Sequence, residues 1–108
     1  MASLAATFGR GAMTNHWKDI KNTDVVLVMG ANPAENHPCG FKWALEARDE
    51  NNAKLVTIDP RFTRTSAVAD EHLQIRPGSD IAILGGFIRH ILRNDLHHAD
   101  YVRAHTNA

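Results

Sequence analysis

Three short polar segments carry the residues in this sequence that are best suited to binding a nucleotide. Gly30-Ala31-Asn32 and Asp59 each follow an apolar run, and Gly78-Ser79-Asp80 precedes a helical stretch. Backbone amides at a glycine turn can bind a pyrophosphate, and a carboxylate can accept hydrogen bonds from ribose hydroxyls. The carboxylate of Asp80 can accept from the adjacent N1–H and N2–H donors of guanine. This chemistry requires that all three segments lie at one edge of the fold.

Two apolar runs predict the strands that would place these segments together. Val25–Met29 and Lys54–Ile58 are short, rich in β-branched residues and bounded by turn residues, which is typical of buried parallel strands. Between them, residues 30–38 predict a turn, and a crossover helix begins at Cys39 or Gly40 and ends near Glu50. Strand, helix and parallel strand form one βαβ unit, and ligands of such sheets bind beyond the carboxyl ends of the strands.

The crossover helix has its own start signal and apolar face. Asn36 or His37 can cap it, and Pro38 suits its first turn. By helical spacing, the residues that we expect to face the sheet are Phe41, Ala44 and Leu45. Before the first strand, the pattern predicts a short helix over residues 15–20 capped by Thr14 or Asn15. After the second strand, it predicts one helical turn over 67–70 and a third strand over 72–75. Two helices follow, one from N-cap Ser79 to Arg93-Asn94 and a last one around Tyr101-Val102.

Composition limits the class of protein. With 108 residues, of which 44% are hydrophobic, the chain is one domain or part of one. Lys plus Arg and Asp plus Glu each number 12, so no net charge indicates nucleic acid or an anionic membrane. The single cysteine, Cys39, excludes an internal disulfide and cannot alone bind zinc or an iron–sulfur cluster. No apolar run is long enough to span a membrane, and the first residues do not resemble a signal peptide.

Two arginine-containing loops leave alternatives open. Residues 61–66 combine Arg61 and Arg64 with three hydroxyl side chains, which suits a phosphate but is also found in ordinary surface loops. Residues 7–15 hold two glycines around an arginine, typical of a close backbone approach or of a solvated turn. The Gly-x-Gly-x-x-Gly pattern is missing, because Asn32 and Glu35 stand where its later glycines would be, which disfavours an ordinary NAD site.

Ordered segments of the chain resemble the molybdopterin-guanine-dinucleotide-binding domain of the molybdopterin oxidoreductase family. The segments that carry this resemblance are Gly30-Ala31-Asn32-Pro33-Ala34-Glu35-Asn36-His37-Pro38, Ile58-Asp59-Pro60-Arg61-Phe62-Thr63-Arg64-Thr65 and Gly78-Ser79-Asp80-Ile81-Ala82. Residues 2–17 are more specifically similar to the large subunits of respiratory formate dehydrogenases. The resemblance covers essentially the whole chain.

The resemblance implies a Rossmann-like α/β fold, with an open, mainly parallel sheet and helices on both faces, of which this chain is a partial domain. Residues 1–23 would be a loop and short helix leading from the metal-ligand region, and residues 24–108 the dinucleotide-binding part. The implied contacts with the cofactor are Gly30, Asn32, Glu35 and Asn36 along the dinucleotide, Asp59, Arg61 and Thr63 at its phosphate and ribose portion, and Gly78, Ser79 and Asp80 at its guanine end.

The resemblance also implies an activity whose reacting groups lie outside this chain. Enzymes of this kind carry a bis-molybdopterin-guanine-dinucleotide cofactor with molybdenum or tungsten, oxidise formate to carbon dioxide and pass electrons to iron–sulfur clusters. Their selenocysteine or cysteine metal ligand and neighbouring histidine precede the position matching Met1, as would be expected if a selenocysteine codon had been read as a stop. The active-site arginine lies downstream and the cluster cysteines upstream. We therefore expect no catalytic or metal-binding residue here and no formate dehydrogenase activity from the isolated chain.

The implied partners are the remainder of the large subunit, an iron–sulfur beta subunit and a membrane cytochrome subunit, with no nucleic acid. Apolar surface left without these partners would favour self-association. The implied location is the periplasm, and cytoplasmic relatives provide the alternative. Two other interpretations of the residues stay open: a free-standing nucleotide-binding or assembly module without redox chemistry, and a small α/β protein in which Asp59 and Asp80 are only turn and helix-start residues.

Overall fold

The computed structural model describes residues 2–7, 9 and 15–107. The chain forms two compact units, residues 1–74 and residues 75–108. The elements of the first unit are α1 (Ala2–Thr7), a 3₁₀ helix (Trp17–Asn22), β1 (Val25–Met29), α2 (Pro33–Asn36), α3 (Pro38–Asn51), β2 (Lys54–Ile58), α4 (Arg64–Ala67) and β3 (Glu71–Leu73). Those of the second are α5 (Asp80–Arg93) and α6 (Ala99–His105). The predicted division into residues 1–23 and 24–108 stays a prediction.

The first unit is built on a three-stranded parallel sheet in the order β1-β2-β3. The register pairs Val25 with Lys54 and Met29 with Ile58, so β1 and β2 end at the same level. Both strands have the predicted bounds. These observations confirm the predicted parallel α/β arrangement of a partial domain, and they place the loops after β1 and β2 at one edge of the sheet.

A small apolar core joins α3 to the sheet. Phe41 and Ala44 of α3 are buried with Leu55 of β2, and Leu45 packs against this cluster while partly exposed. Val26 and Val28 of β1 also pack against it. The predicted inward face of the crossover helix is therefore confirmed, and this packing holds α3 against the sheet.

The helix boundaries near the site differ from the prediction. Residues 33–36, predicted as part of a turn, form the short helix α2, which has a proline in its first turn. The crossover helix α3 begins at Pro38 and ends at Asn51. His37 stands at its N-cap position, as one of the two predicted alternatives, but its side chain makes no capping hydrogen bond. The chain therefore makes two helical segments with a break at His37, where one helix was expected.

Three other predicted elements have different bounds, each for a reason that the structure shows. The first helix, expected over residues 15–20, is a 3₁₀ helix over Trp17–Asn22, because His16 and Asp19 form a capping box there. The helical turn expected over 67–70 is α4, Arg64–Ala67, which Thr63 caps. β3 is Glu71–Leu73 rather than residues 72–75, because its last pairing partner is Ile58 at the end of β2. The helix α1 was not predicted, and most of the predicted loop at residues 7–15 lies outside the described residues.

In the second unit, α5 and α6 follow the predicted pattern. Ser79 is the N-cap residue of α5 and Asn94 its C-cap, as expected. The Ser79 hydroxyl, however, donates to the carbonyl of Arg76 at 2.6 Å and does not cap the helix with its side chain. His98 caps α6 by accepting a hydrogen bond from the amide of Tyr101 at 3.1 Å. Among the described residues, no helix has the length and apolar character needed to cross a membrane.

Candidate nucleotide-binding site

The turn after β1 begins with a glycine in a left-handed conformation. Gly30 has φ +62°, a value that side chains with a Cβ rarely adopt. Its amide donates to the carbonyl of Ile58 at 2.9 Å, so the chain leaves β1 while still bonded to the end of β2. Two residues later, the half-buried Asn32 is the N-cap residue of α2. The predicted Gly30-x-Asn32 turn is therefore a defined structure at the carboxyl end of the sheet.

Asn32 joins this turn to the loop that follows β2. Its Oδ1 accepts hydrogen bonds from the hydroxyl of Thr65 at 2.9 Å and from the backbone amide of Thr65 at 3.2 Å. The Thr65 hydroxyl in turn accepts from the amide of Ala34 at 3.1 Å. The Asn32 side-chain amide donates to the carboxylate of Glu35. Two loops that are more than 30 residues apart in sequence are thus held together by polar contacts.

The loop after β2 is shaped by its own polar side chains. Asp59 is 8% exposed, and its Oδ1 accepts from the backbone amide of Arg61 at 2.8 Å. Thr63 caps α4, because its Oγ1 accepts from the amide of Ser66 at 3.2 Å. Arg61 lies between these two fixed points and is exposed. The sequence predicted a loop that presents cationic and hydroxyl groups, and the structure gives that loop a stable backbone.

The two loops enclose a polar cleft of about 280 Å³. The residues that line it are Asn32, Glu35, Arg61, Phe62, Thr63 and Arg64. Arg64 Nε lies 3.1 Å from Glu35 Oε1, with the Arg64 side chain 80% exposed. The cleft therefore presents two guanidinium groups, one carboxylate, an amide and a hydroxyl. Guanidinium and hydroxyl donors at one opening are suited to a diphosphate, which offers several charged acceptor oxygens.

Other predicted site residues lie outside this cleft. Asn36 lines a separate, mainly apolar cleft of about 420 Å³ beside Trp17 and β1. Asp59 is buried beneath the loop rather than among the lining residues. Gly78, with φ +84°, Ser79 and the exposed Asp80 belong to the second unit, at the start of α5. Their contact with the guanine end of a cofactor stays a prediction, as do the cofactor contacts of the cleft residues.

Phe62, Arg64 and Thr65 were not among the implied cofactor contacts, although Arg64 and the Thr65 hydroxyl belong to the group of side chains considered for a phosphate. All three lie in the arginine- and hydroxyl-rich loop that the sequence analysis singled out, so composition did indicate the right segment. Thr65 is completely buried, and its contact with Asn32 depends on tertiary structure. Within residues 2–7, 9 and 15–107, no group of three or more His, Cys, Asp or Glu side chains is arranged to bind a metal ion.

The sequence family follows from comparison with known proteins. The family model described as molybdopterin oxidoreductase matches residues 2–101. The chain belongs to the molybdopterin oxidoreductase family. Membership implies a molybdopterin cofactor. The donor set of the cleft fits the phosphate-bearing part of such a group, because guanidinium, amide and hydroxyl donors from two loops line one opening.

Three relatives within the family are subunits of formate dehydrogenases. Over all 108 residues, the chain is 58% identical to the nitrate-inducible formate dehydrogenase major subunit of Escherichia coli and 60% identical to the formate dehydrogenase-O major subunit of the same organism. It is also 58% identical over 108 residues to formate dehydrogenase 2 subunit alpha (cytochrome c-553) of Nitratidesulfovibrio vulgaris. The chain spans 11% of the length of each of these relatives.

A solved structure supports the architecture independently. A Sir2 homologue in complex with 2'-O-acetyl ADP ribose matches with a TM-score of 0.56 and 20% sequence identity. The match covers 72% of this chain and 29% of that one. At this level of identity the likeness shows the fold alone. It agrees with the parallel βαβ arrangement of β1, α3 and β2.

Proposed function

We propose that this chain is the part of a formate dehydrogenase major subunit that binds the guanine-dinucleotide portion of a bis-molybdopterin-guanine-dinucleotide cofactor. The observation that carries the proposal is the cleft that Asn32, Glu35, Arg61 and Thr63 line together. The family resemblance implied that all four contact the dinucleotide, and they come from two separate loops. The major subunits that resemble this chain over its whole length support the choice of formate dehydrogenase.

The residues of the cleft divide the recognition of the dinucleotide among them. Arg61 and Arg64 neutralise the diphosphate, with the Thr63 hydroxyl as a further donor. Asn32, which the Thr65 hydroxyl holds at the start of α2, places the backbone of residues 30–36 beside the phosphates. Asp59 fixes the loop through the Arg61 amide, and its remaining lone pairs accept from ribose hydroxyls. Gly78, Ser79 and Asp80 hold the guanine end, where the Asp80 carboxylate accepts from N1–H and N2–H.

In the whole enzyme, as proposed, the metal–pterin centre, with molybdenum or tungsten, supplies the two-electron chemistry that oxidises formate to carbon dioxide. The proposed acceptors of these electrons would be iron–sulfur clusters, with an iron–sulfur beta subunit and a membrane cytochrome subunit as partners, and the proposed location is the periplasm. The selenocysteine or cysteine ligand of the metal belongs to the remainder of the large subunit. The role of this chain is to bind and orient the cofactor, so the isolated polypeptide does not oxidise formate.

A hybrid subunit provides the direct test of cofactor binding. This sequence replaces the 108 residues that it matches in the E. coli nitrate-inducible major subunit, and the purified hybrid is hydrolysed in acid to release guanosine monophosphate. We expect Arg61→Gln to lower the guanosine monophosphate recovered per subunit about tenfold, since one charge-assisted contact with phosphate is worth about 1.5–3 kcal/mol. Arg103→Gln, an exposed arginine of α6, is the matched control.

Two results would overturn the proposal. Recovery of guanosine monophosphate from Arg61→Gln at the level of Arg103→Gln would show that the cleft does not bind the dinucleotide. Formate-dependent reduction of a viologen dye by the purified 108-residue chain would contradict the assignment of the reacting groups to other parts of the subunit. The ratio of guanosine monophosphate to metal in the unmodified hybrid tests the bis form of the cofactor.

A further inference from the structure

We infer that Thr65 is a positioning residue of the dinucleotide cleft, acting through Asn32 and the backbone of α2. The inference rests on the proposed function and extends it to a side chain that does not line the cleft. Thr65 is 0% exposed, so it reaches the ligand only through its neighbours. What it controls is the distance between the loop after β1 and the loop after β2.

The hydrogen bonds of the Thr65 hydroxyl are the basis of this inference. The hydroxyl donates to Asn32 Oδ1 at 2.9 Å and accepts from the Ala34 amide at 3.1 Å. The backbone amide of Thr65 adds a second donor to Asn32 Oδ1 at 3.2 Å. One hydroxyl therefore bonds both the N-cap side chain and the first turn of α2. A hydroxyl group has one donor and can accept, and both functions are used here.

The contacts of Asn32 link the Thr65 hydroxyl to the charged side chains that line the cleft. With Oδ1 of Asn32 facing Thr65, its side-chain amide is directed to the carboxylate of Glu35. Glu35 in turn pairs with Arg64 at 3.1 Å. A chain of contacts thus runs from the buried hydroxyl to a guanidinium of the cleft. Removal of the hydroxyl takes this acceptor from the partly buried Ala34 amide and leaves Asn32 Oδ1 with only the Thr65 backbone amide, so the turn relaxes toward solvent.

The chain offers a matched control for loss of a buried hydroxyl. Thr57 on β2 is 1% exposed, and its hydroxyl bonds to Ser66 Oγ at 3.2 Å and to His72 Nδ1 at 3.0 Å. It makes none of the contacts with Asn32 or Ala34. Thr57→Val therefore removes a hydroxyl from a similar environment without releasing the turn after β1. A difference between the two valine variants reports on the turn and not on general weakening of the fold.

The experiment uses the hybrid subunit and measures released guanosine monophosphate together with the midpoint of thermal unfolding. We expect Thr65→Val to lower nucleotide recovery at least about fivefold. Thr65→Ser, which keeps the hydroxyl, and Thr57→Val should stay within about twofold of the parent. If Thr65→Val does not fold, the pair Thr65→Ala and Thr65→Ser replaces it, because the two differ by one hydroxyl and neither overfills the site. Thr65→Ala, which lacks the hydroxyl, should then show the fivefold loss of nucleotide recovery.

A double-mutant cycle separates failure of this inference from failure of the proposed function. Asn32→Ala and Thr65→Val should be non-additive in the thermal unfolding of the hybrid subunit, whether or not any nucleotide binds. Additive effects, or equal nucleotide recovery from Thr65→Val and Thr57→Val, would overturn the positioning role. If Arg61→Gln also leaves recovery unchanged, the proposed function fails together with this role. If Arg61→Gln lowers recovery while Thr65→Val does not, only the positioning role fails.

Discussion

A methyl group added at residue 40 tests the contact between the 3₁₀ helix and α3. A Cβ built on Gly40 would lie 2.4 Å from Cε3 of Trp17 and 2.6 Å from its Cζ3. Both atoms belong to the rigid indole, so the whole ring would have to move. Trp17 is 38% exposed, and its ring stacks on His37 with centroids 5.7 Å apart. The ring can move outward, but only by giving up its packing against α3.

Two opposing effects decide the stability of Gly40→Ala. Replacing a helical glycine by alanine stabilises by up to about 1 kcal/mol. Overpacking by one methyl group destabilises by about 1–3 kcal/mol. The clash with a ring at 2.4 Å should dominate, so we expect a net loss of about 1 kcal/mol in the free energy of unfolding. In the Trp17→Ala background the clash is absent, and the same substitution should stabilise by up to about 1 kcal/mol.

Urea denaturation followed by far-UV circular dichroism measures both effects. Gly86→Ala in α5 is the matched control, since a Cβ there would meet nothing within 4 Å, and it should stabilise by about 0.5–1 kcal/mol. The decisive comparison is Gly40→Ala with and without Trp17. An equal loss of stability in the two backgrounds would refute the role of the indole contact, because the double-mutant cycle would then show no coupling.

Two further predictions concern β2 and its neighbours. Leu55→Ala should lower the unfolding free energy in urea by about 2–5 kcal/mol, because Leu55 is 1% exposed in the small core. For Asp70, the hydrogen bond from the Leu55 amide, followed by the charges of Arg48 and Lys54, lowers the carboxyl pKa from its ordinary value of 3.8. A depressed folded-state pKa stabilises above about pH 3.8 and loses that contribution as pH falls through the lower value. The difference in stability between the parent and Asp70→Asn should therefore shrink below pH 4, and a constant difference down to pH 2 would contradict it.

The parts of the fold that were predictable are those set by local pattern. Val25–Met29 and Lys54–Ile58 are continuous apolar runs with clear ends, and their bounds were predicted as observed. The bounds of β3 were not predicted as observed. The length of this strand depends on where β2 ends, and the residues of β3 are only weakly apolar. The helix α2 was missed because Asn32 and Pro33 signal a turn as strongly as a helix start. Contacts with Thr65, distant in sequence, favour the helix there.

The candidate site shows the same division between local and tertiary information. The order of strands and loops was enough to predict that Asn32 and Arg61 come near one another, because parallel strands end at one edge. The order of strands and loops was not enough to distinguish residues that line the cleft from residues that support the cleft. Asp59 was expected at the ligand, which stays a prediction, and the structure adds that its buried carboxylate also supports the loop by accepting from the Arg61 amide. Thr65 was regarded as one hydroxyl among several and is the buried link between the loops.

The loop after β2 is held more by hydrogen bonds than by apolar packing. The buried polar residues of the described chain are Thr57 in β2, Asp59 in this loop, and Thr65 and Ser66 in α4, which continues it. Hydrogen bonds impose geometry, so a substitution in this loop changes its shape and its stability together. Loss of nucleotide from one loop variant therefore does not by itself identify a ligand contact. Pairs of variants that differ by a single hydroxyl, measured with their unfolding midpoints, distinguish a contact with the ligand from support of the loop.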